Sequence, residues 1–468
     1  MFVGRTQELR KLDEAFESSK ASFAVVYGRR RVGKTELLHE FQKKREGLYF
    51  LSTYQNHEEL LKQFSLKTSE FLGDEAVRLQ PFTKWDAFLT YLANALKKTG
   101  KKTVVVFDEF TYLIEKDEAV PSIIQSYWDQ YFSKLPIMLV LCGSYVGMME
   151  KEVLGIKSPL YGRSDLQIQL TELSFKEVSK FYPKLGFGEL LKFYSITGGI
   201  PAYLLKLDEG KSFEENLLNK VFDKTEFLYN DARALILEEV KEPRNYFSIL
   251  RAISFGKNTQ KEISDFTGIL ASSVGKYLDV LKGMRLIKRT VPVTENPEKS
   301  RRGTYELADN YYSFWFRFVE PNADLVENQT AREYLEGKEF KEKFNTYLGK
   351  VFENVCKEYL IELNKKKAIE FNKIGKYWLN ETEIDWLALG EKQNTACECK
   401  YSNKIIEEND LLKLEEKTQE IREMQGKEKK FVFFSKSGFT KKATEYAAES
   451  SHKWILVNKE LLEKWISS

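Results

Sequence analysis

The stretch YGRRRVGKTELL, residues 27–38, follows an apolar run and decides how this part of the chain is built. It has the spacing G-x-x-x-x-G-K-[ST], with Gly28, Gly33, Lys34 and Thr35 at the defining positions. Glycines let a backbone wrap closely around phosphate oxygens, and the helix that opens near Gly33 directs its positive end at the same anion. Lys34 can then reach the β- and γ-phosphates, while the Thr35 hydroxyl can ligate Mg²⁺. We therefore predict a loop that binds nucleotide phosphates together with Mg²⁺.

Five further residues lie in or beside this loop and are candidates for contact with the nucleotide: Arg29, Arg30, Arg31, Val32 and Glu36. The three consecutive arginines are open to two interpretations. Either they face solvent as ordinary loop charges, or they lie over the phosphates and compensate their negative charge. The sequence alone does not separate these alternatives.

Residues 1–205 alternate apolar β-type runs with segments whose apolar residues recur at helical spacing. The β-type runs are FAVVYG, LYFLS, TVVVFDEF, IMLVLCGS and LQIQL. Such alternation predicts a parallel sheet with helices on both faces. The turn-formers Gly198, Gly199 and Pro201 mark the end of this region.

One of these apolar runs ends in two adjacent carboxylates, Asp108 and Glu109. Downstream of a phosphate loop, such a pair suits contact of Asp108 with Mg²⁺ and activation of the attacking water by Glu109. A later apolar run leads to Ser144, whose side chain either senses the γ-phosphate or belongs to a plain turn. These side chains extend the prediction from nucleotide binding to nucleotide hydrolysis.

Three short stretches then resemble elements of AAA+ and STAND ATPases. FVGRTQEL, residues 2–9, resembles the box that precedes the phosphate loop and packs near adenine. GGIPAYL, residues 198–204, resembles the element that closes the STAND nucleotide module. SPLYGR, residues 158–163, is typical of the archaeal ATPases of that superfamily.

The resemblance covers residues 1–205 and implies an ATP-binding core of this type. By the same resemblance Arg5 and Pro201 are expected beside the nucleotide. Arg163 becomes a candidate for contact with the γ-phosphate, either in cis or, in a homo-oligomer, in trans. The alternative for Arg163 is a surface ion pair.

Residues 241–310 have the spacing of a helix-turn-helix followed by a two-stranded wing. Ser272, Ser273, Lys276 and Tyr277 are expected on the exposed part of its second helix, and Lys299, Arg301 and Arg302 at the tip of the wing. From Lys241 to Tyr305 the chain holds 13 Lys or Arg against 6 Asp or Glu. This excess suits contact with DNA phosphates. Appended winged helices also act as lids or dock proteins, so DNA and a protein partner remain alternatives.

Near the carboxyl end, Asp385 lies in one strand-like run, and Glu398 and Lys400 lie in the next. Strand alternation points Glu398 and Lys400 to the same face, where Asp385 of an adjacent strand can meet them. Two carboxylates and a backbone carbonyl form the oxygen-rich kind of site that Mg²⁺ prefers. Lys400 can orient a water or stabilise a developing negative charge.

The pattern D-x12-E-x-K in this region resembles the core of the PD-(D/E)XK nucleases. Glu353, in the helix VFENVCKEYL, matches the helical acidic residue of that fold. The resemblance implies a restriction-nuclease-like domain with Glu353, Asp385, Glu398 and Lys400 as catalytic residues, Asp385 and Glu398 also being metal ligands. Ile384 stands where proline is commonly found, and whether such a site cleaves DNA stays open. The alternative is a hairpin that carries ordinary surface charges.

The composition of the 468 residues, with 42% apolar residues, 31% charged residues and a net charge of +3, is that of a globular protein. Four cysteines and three histidines are too few and too scattered for a structural zinc site, so we expect reduced thiols. No apolar run approaches the roughly 18–20 residues that span a bilayer. The charged opening lacks a signal sequence, and we expect a cytoplasmic location.

The sequence therefore predicts a multidomain α/β protein with four segments. They are a P-loop ATPase core at residues 1–205, a helical linker and winged helix at 206–310, a connector at 311–334 and a nuclease-like domain at 335–468. We expect ATP binding and hydrolysis coupled to DNA binding and Mg²⁺-dependent cleavage. The alternatives are a signalling or scaffold switch with an inactive nuclease-like domain, and a transcription regulator that does not cleave.

Overall fold

A computed structural model describes residues 2–240 and 242–468. Met1, at the start of the expected ATPase core, and Lys241, at the start of the expected winged helix, lie outside the described residues. The chain divides into two compact units. The first extends to Glu172 and includes Ile200–Ala202, and the second comprises Leu173–Gly199 and Tyr203–Ser468. The four-segment division expected from the sequence remains a prediction.

The first unit is a parallel sheet with helices. Its strands are β1 (Ser22–Tyr27), β2 (Gly47–Leu51), β3 (Thr103–Asp108), β4 (Ile137–Gly143) and β5 (Leu166–Gln169). Its helices are α1 (Thr6–Glu17), α2 (Lys34–Gln42), α3 (His57–Leu72), α4 (Glu75–Leu79), α5 (Trp85–Thr99), α6 (Phe110–Lys116), α7 (Val120–Gln130) and α8 (Val146–Met148). The strand order is β2-β3-β4-β1-β5, and all neighbours are parallel. The predicted parallel α/β sheet is confirmed.

The central strands β1, β3 and β4 are buried along their whole length, which explains their continuous apolar sequences. In register, Tyr27 lies opposite Gly143, and Phe107 lies opposite Leu141. The three strands therefore end at the same edge of the sheet. The residues that follow them are brought together there, as in other open parallel sheets.

The second unit begins with helices. They are α9 (Phe175–Val178), α10 (Phe187–Thr197), α11 (Pro201–Leu204, which begins in the first unit), α12 (Phe213–Asn216) and α13 (Phe227–Glu239). The predicted winged helix follows as α14 (Pro243–Ser254), α15 (Gln260–Thr267), α16 (Ala271–Gly283), β6 (Ile287–Thr290) and β7 (Thr304–Leu307). A capping box formed by Thr259 and Glu262 starts α15, and Gly268, with φ 71°, ends it.

The carboxyl-terminal part of this unit is a mixed sheet. Connecting helices α17 (Asn310–Phe314), α18 (Ala323–Glu327) and α19 (Ala331–Glu336) precede the long helix α20 (Lys338–Lys365). Then come β8 (Lys373–Leu379), β9 (Thr382–Leu389), β10 (Gln393–Lys400), α21 (Glu408–Gln419), β11 (Glu428–Ser435), α22 (Lys441–Glu449), β12 (Lys453–Val457) and α23 (Lys459–Ser467). The strand order is β12-β11-β10-β9-β8. The pairs β8–β9 and β9–β10 are antiparallel, and the pairs β10–β11 and β11–β12 are parallel.

Two further features concern the whole set of described residues. All four cysteines, Cys142, Cys356, Cys397 and Cys399, are free and buried. None of the helices within residues 2–240 and 242–468 is both long enough and apolar enough to cross a membrane.

Candidate functional site

The loop between β1 and α2 closes tightly around its own backbone. A Cβ atom at Gly28 would lie 2.2 Å from the carbonyl oxygen of Leu170, so only glycine fits. Gly33 caps α2 with φ 91°, a conformation that favours glycine. The ammonium of Lys34 is buried and donates to the carbonyls of Gly28 at 2.9 Å and Arg29 at 3.0 Å. The lysine predicted to bind phosphates is therefore directed into the loop.

Asp108, at the end of β3, lies against the start of α2. Its Oδ2 accepts a hydrogen bond from the Thr35 hydroxyl at 2.8 Å and another from Tyr49. Asp108 is fully buried, and burial together with this carboxylate raises the pKa of the Tyr49 phenol. The sequence predicted Thr35 and Asp108 as partners in Mg²⁺ binding, and the fold brings the two side chains into contact. Tyr49 lies on β2 and was not predicted, because no local sequence motif contains it.

Glu109 has a left-handed backbone conformation, with φ 52°, which turns its side chain away from the strand. Ser144, which follows β4, donates a hydrogen bond to Glu109 Oε1. Among the described residues, the buried Oε2 has no hydrogen-bond partner. An orphaned carboxylate oxygen at this edge of the sheet is free to accept a proton or a water. The predicted residues Glu109 and Ser144 are thus in direct contact.

Two arginines of the loop are held by other side chains of the first unit. Arg29 forms an ion pair with Glu172 at 3.4 Å. Arg30 donates to the hydroxyls of Tyr112 at 2.8 Å and Tyr145 at 2.9 Å, and lies 5.1 Å from the centre of the Tyr145 ring. Arg30 is therefore fixed beside the loop. The two tyrosines come from α6 and from the segment after β4, so sequence motifs did not reveal them.

The other predicted neighbours of the loop occupy different positions. Arg31 has φ 72°, Val32 is buried, and Glu36 is exposed in the first turn of α2. Arg5 is buried and donates to the carbonyls of Val32 at 3.2 Å and of Thr171. A Cβ atom at Gly33 would lie 3.8 Å from Pro201. Arg5 and Pro201 therefore both flank the loop, and their contact with the nucleotide stays a prediction.

Arg163 lies elsewhere in the first unit. It precedes β5, whose residue Leu166 pairs with Ala24 near the start of β1. At about 3.3 Å per strand residue, this places Arg163 on the order of 20 Å from the loop after β1. Its guanidinium forms an ion pair with Asp129 at 2.8 Å. Arg163 therefore lies at the opposite edge of the sheet from its own loop and forms the ion pair that the sequence left as the alternative, while its contact with a γ-phosphate stays a prediction.

The acidic residues of the carboxyl-terminal sheet also converge. Asp385 on β9 accepts a hydrogen bond from the backbone N–H of Cys399 on β10 at 2.7 Å. Glu398 is buried and pairs with Lys400 at 2.5 Å. Burial, followed by the neighbouring Cys399, Glu398 and Glu353, raises the pKa of Asp385 to about 8. The four residues predicted from the sequence thus form one electrostatically coupled cluster.

Two lysines that the sequence analysis did not identify enter this cluster. Lys376 on β8 pairs with Glu353 at 2.9 Å, and Lys417 on α21 lies 3.4 Å from Glu398. Within the described ranges, no group of three or more His, Cys, Asp or Glu side chains is arranged to hold a metal ion. The predicted ligands are a pair, Asp385 and Glu398. Both are carboxylate oxygen donors on neighbouring strands, which is the donor type that a divalent cation prefers.

The four basic residues predicted on the surface of the winged helix, Lys276, Lys299, Arg301 and Arg302, are all exposed. Ser272 and Lys276 are exposed, while Ser273 and Tyr277 are half-buried. Lys299 and Arg301 are exposed on the loop that joins β6 to β7. Arg302, predicted at the tip of the wing, forms an ion pair with Glu295 at 2.8 Å inside the same loop.

Comparison with known proteins places these sites in context. Residues 2–207 match a family described as an ATPase domain predominantly from Archaea. Residues 315–421 match a family described as "Archaea bacterial proteins of unknown function". The Walker-type ATPase PABY2304 of Pyrococcus abyssi shares the fold with a TM-score of 0.51 and 22% identity, over 68% of this chain and 96% of that one. The ORC2 protein of Aeropyrum pernix, in ADPNP–ADP complexes, has a TM-score of 0.45 and 14% identity over 70% and 95% of the two chains.

An uncharacterised protein of Methanocaldococcus jannaschii, MJECL04, is similar along most of its length. The two sequences are 34% identical over 419 residues, which cover 88% of this chain and 90% of the relative. Sequence identity at this level and over this length shows that the two proteins belong to one family. The protein belongs to the family of MJECL04, and its residues 2–207 are a P-loop ATPase domain of the predominantly archaeal type.

Proposed function

We propose that the protein binds ATP with Mg²⁺ at its phosphate loop, hydrolyses it, and uses the nucleotide state to control engagement of DNA. The observation that carries the first part is the carboxylate of Glu109. One of its oxygens accepts from Ser144, and the other is buried without a hydrogen-bond partner among the described residues. An oxygen in that state is suited to accept the proton of an attacking water.

Each neighbouring residue then has a role in binding ATP. Lys34 would exchange its contacts with two loop carbonyls for the β- and γ-phosphates. The Thr35 hydroxyl and the Asp108 carboxylate are hard oxygen donors, which fit Mg²⁺. The ion, when bound, neutralises charge on the phosphates. Ser144 would report the γ-phosphate to Glu109, its hydrogen-bond partner.

Phosphate release from ATP tests this assignment. We expect Lys34→Ala to lose both nucleotide binding and hydrolysis. Glu109→Gln is expected to bind a fluorescent ATP analogue normally while turnover falls about 10²–10⁴-fold, because a general base is removed. Unchanged turnover in Glu109→Gln would refute the role of Glu109.

A homo-oligomer is a further part of the proposal. Arg163 is far from its own loop, so it could reach a γ-phosphate only in a second copy of the chain. Its ion pair with Asp129 is partly exposed, with 27% of the arginine and 44% of the aspartate accessible, and can therefore be exchanged for a phosphate. We propose that Arg163 acts in trans on the γ-phosphate of a second copy.

For the second unit we propose DNA binding and Mg²⁺-dependent cleavage. The convergence of Glu353, Asp385, Glu398 and Lys400 supports this function. Asp385 and Glu398 would hold the cation, which supplies electrophilic activation of the phosphodiester. Lys400 would orient the attacking water or stabilise charge on the phosphate oxygens. The exposed Lys276, Lys299 and Arg301 would contact the DNA backbone.

A second candidate function is a switch that docks a protein partner and cleaves nothing. The pairing of Lys376 and Lys417 with the acidic cluster favours it, because both lysines supply positive charge without a metal. The salt dependence of DNA affinity separates the two functions. A steep loss of affinity between roughly 50 and 150 mM salt indicates phosphate contacts, whereas no DNA affinity supports the switch. Sequence-selective binding without cleavage would instead identify a transcription regulator.

A further inference from the structure

The pairing between β8 and β9 is interrupted beside the acidic cluster. Gly375 lies opposite Leu387, but Tyr377 lies opposite Ile384, so Lys376 faces two residues of the other strand, Asp385 and Trp386. A bulge of this kind bends a strand and redirects its side chains, and bulges are frequent beside functional sites. Lys376 is thereby directed to the cluster rather than along an ordinary sheet face.

The ammonium of Lys376 is used as the counter-ion of Glu353. The two charged groups are 2.9 Å apart, and only 25% of the lysine and 21% of the glutamate side chain are exposed. The backbone carbonyl of Glu353 accepts from the indole of Trp386 at 2.8 Å, which fixes the helix against the bulge. A partly buried pair of this kind is screened little by solvent. Glu353 is therefore neutralised by a residue of the chain itself.

The wing holds the strand that carries Lys376. The backbone N–H of Val293, in the loop between β6 and β7, donates to the carbonyl of Lys376 at 2.9 Å. Val293 is 4% exposed and packs in the apolar core of the carboxyl-terminal sheet with Tyr377 and Ile384. Lys373 also donates to the carbonyl of Glu295 in the same loop, at 3.4 Å. The wing thus forms an additional edge segment on β8.

We propose that Lys376, held beside Glu353, is a positioning residue whose positive charge opposes binding of a divalent cation at the neighbouring Asp385 and Glu398, and that the docked wing keeps it there. The inference rests on the proposed cation-binding function of the acidic cluster. An ammonium beside Glu353 repels an approaching cation and lowers the negative potential that attracts it. When the wing binds DNA, for example, Val293 would separate from β8, and Lys376 would then be free to move away from Glu353. The acidic cluster then accepts its cation more tightly.

Binding of Mn²⁺, followed by the electron paramagnetic resonance signal of the free ion, tests this proposal without relying on cleavage. The measurements use the full chain without nucleotide, in a Thr35→Ala background, so that the bound ions belong to the acidic cluster. We expect Lys376→Met to bind Mn²⁺ about tenfold more tightly, because one cation competes less. Lys376→Arg, which keeps the charge, is the matched control and is expected to match the parent protein.

A second variant addresses the wing with Lys376 left intact. Val293→Asp places a charge in an apolar contact and is expected to release the wing and to raise Mn²⁺ affinity in the same direction. Circular dichroism establishes that each variant is folded, and Val293→Ala replaces the aspartate variant if it is not. If Lys376→Met left the Mn²⁺ affinity unchanged while Asp385→Ala abolished Mn²⁺ binding, this inference would be overturned. The proposed cation site would then still be supported. Absence of Mn²⁺ binding in all variants would overturn both.

Discussion

At the scale of single residues, Gly28 has the least tolerance for change. A methyl group there would meet the Leu170 carbonyl at 2.2 Å, and neither backbone can move without disturbing β1 or the segment after β5. We expect Gly28→Ala to lower the free energy of unfolding by about 1–3 kcal/mol, as overpacking does elsewhere. Urea titration measures this loss.

Gly349, within α20, provides the matched control for this substitution. A Cβ atom at that position would contact nothing within 4 Å. Alanine is the better helix former, so Gly349→Ala is expected to stabilise the protein by about 0.5–1 kcal/mol. If both variants shifted stability alike, crowding around Gly28 would not be the cause of its effect.

The residues of the phosphate site that were predicted from the sequence lie in short local motifs, whereas those that were missed do not. Lys34, Thr35, Asp108 and Glu109 were predicted because a short motif or a strand end contains them. Tyr49, Tyr112 and Tyr145 contact the same site but come from three separate segments. Their positions depend on tertiary packing, which leaves no local pattern. Lys376 and Lys417 were missed for the same reason.

At the scale of elements, two helices of the second unit, α9 and α10, are capped by carboxylates from remote parts of the same unit. Glu358 on α20 accepts from the N–H of Phe175 at the start of α9, at 2.9 Å. Glu463 on α23 accepts from the N–H of Phe187 at the start of α10, also at 2.9 Å. Such caps satisfy backbone donors that the helix leaves unpaired. They tie residues 173–199 to the carboxyl-terminal sheet of the same unit.

The cap at Glu358 predicts a pH dependence of stability. Burial raises its pKa to about 7, despite the hydrogen bond from Phe175, and Glu177 adds to the rise. The folded state therefore binds the proton more tightly than the unfolded state, whose pKa lies near 4.3. Protonated Glu358 therefore stabilises the folded state fully below about pH 4.3. This contribution to the free energy of unfolding, on the order of 3 kcal/mol, is lost as pH rises through 7.

We expect Glu358→Gln, which keeps an acceptor but cannot ionise, to lose less stability than the wild type between pH 5 and pH 8. Thermal unfolding at both pH values measures the difference. Glu342→Gln, on the exposed face of the same helix, controls for the loss of one negative charge. An equal fall in melting temperature for the wild type and Glu358→Gln would argue against Glu358 as the titrating group.

Elements differed in how well the sequence predicted them. The strands of both sheets that carry candidate residues were recognised from apolar runs, and the winged helix from helix spacing and turns. The strand β12 was not predicted, and neither was the bulge opposite Lys376. A bulge depends on the register between two strands, and period-2 patterning within one strand does not report it.

At the scale of the whole molecule, the order of the candidate sites along the chain could be predicted from the sequence. A phosphate loop, a helix-turn-helix and an acidic pattern follow one another and were each located by spacing. The docking of the wing onto β8 was not readable, because it depends on one valine and two backbone groups. The sequence predicted a basic tip of the wing, and Arg302 of that tip is exposed while it pairs with Glu295 of the same loop.

We propose that the nucleotide state controls engagement of DNA and, with it, DNA cleavage at the acidic cluster. The most direct test of this proposal is cleavage of plasmid, branched and single-stranded DNA by the full chain, with Mg²⁺ or Mn²⁺ and with or without ATP. The wild type is expected to cleave in response to ATP, Asp385→Ala to be inactive under every condition, and Lys34→Ala to lose the response to ATP. Absence of cleavage with either metal, while Lys34→Ala still abolishes ATP hydrolysis, would contradict the account and favour the partner-docking switch.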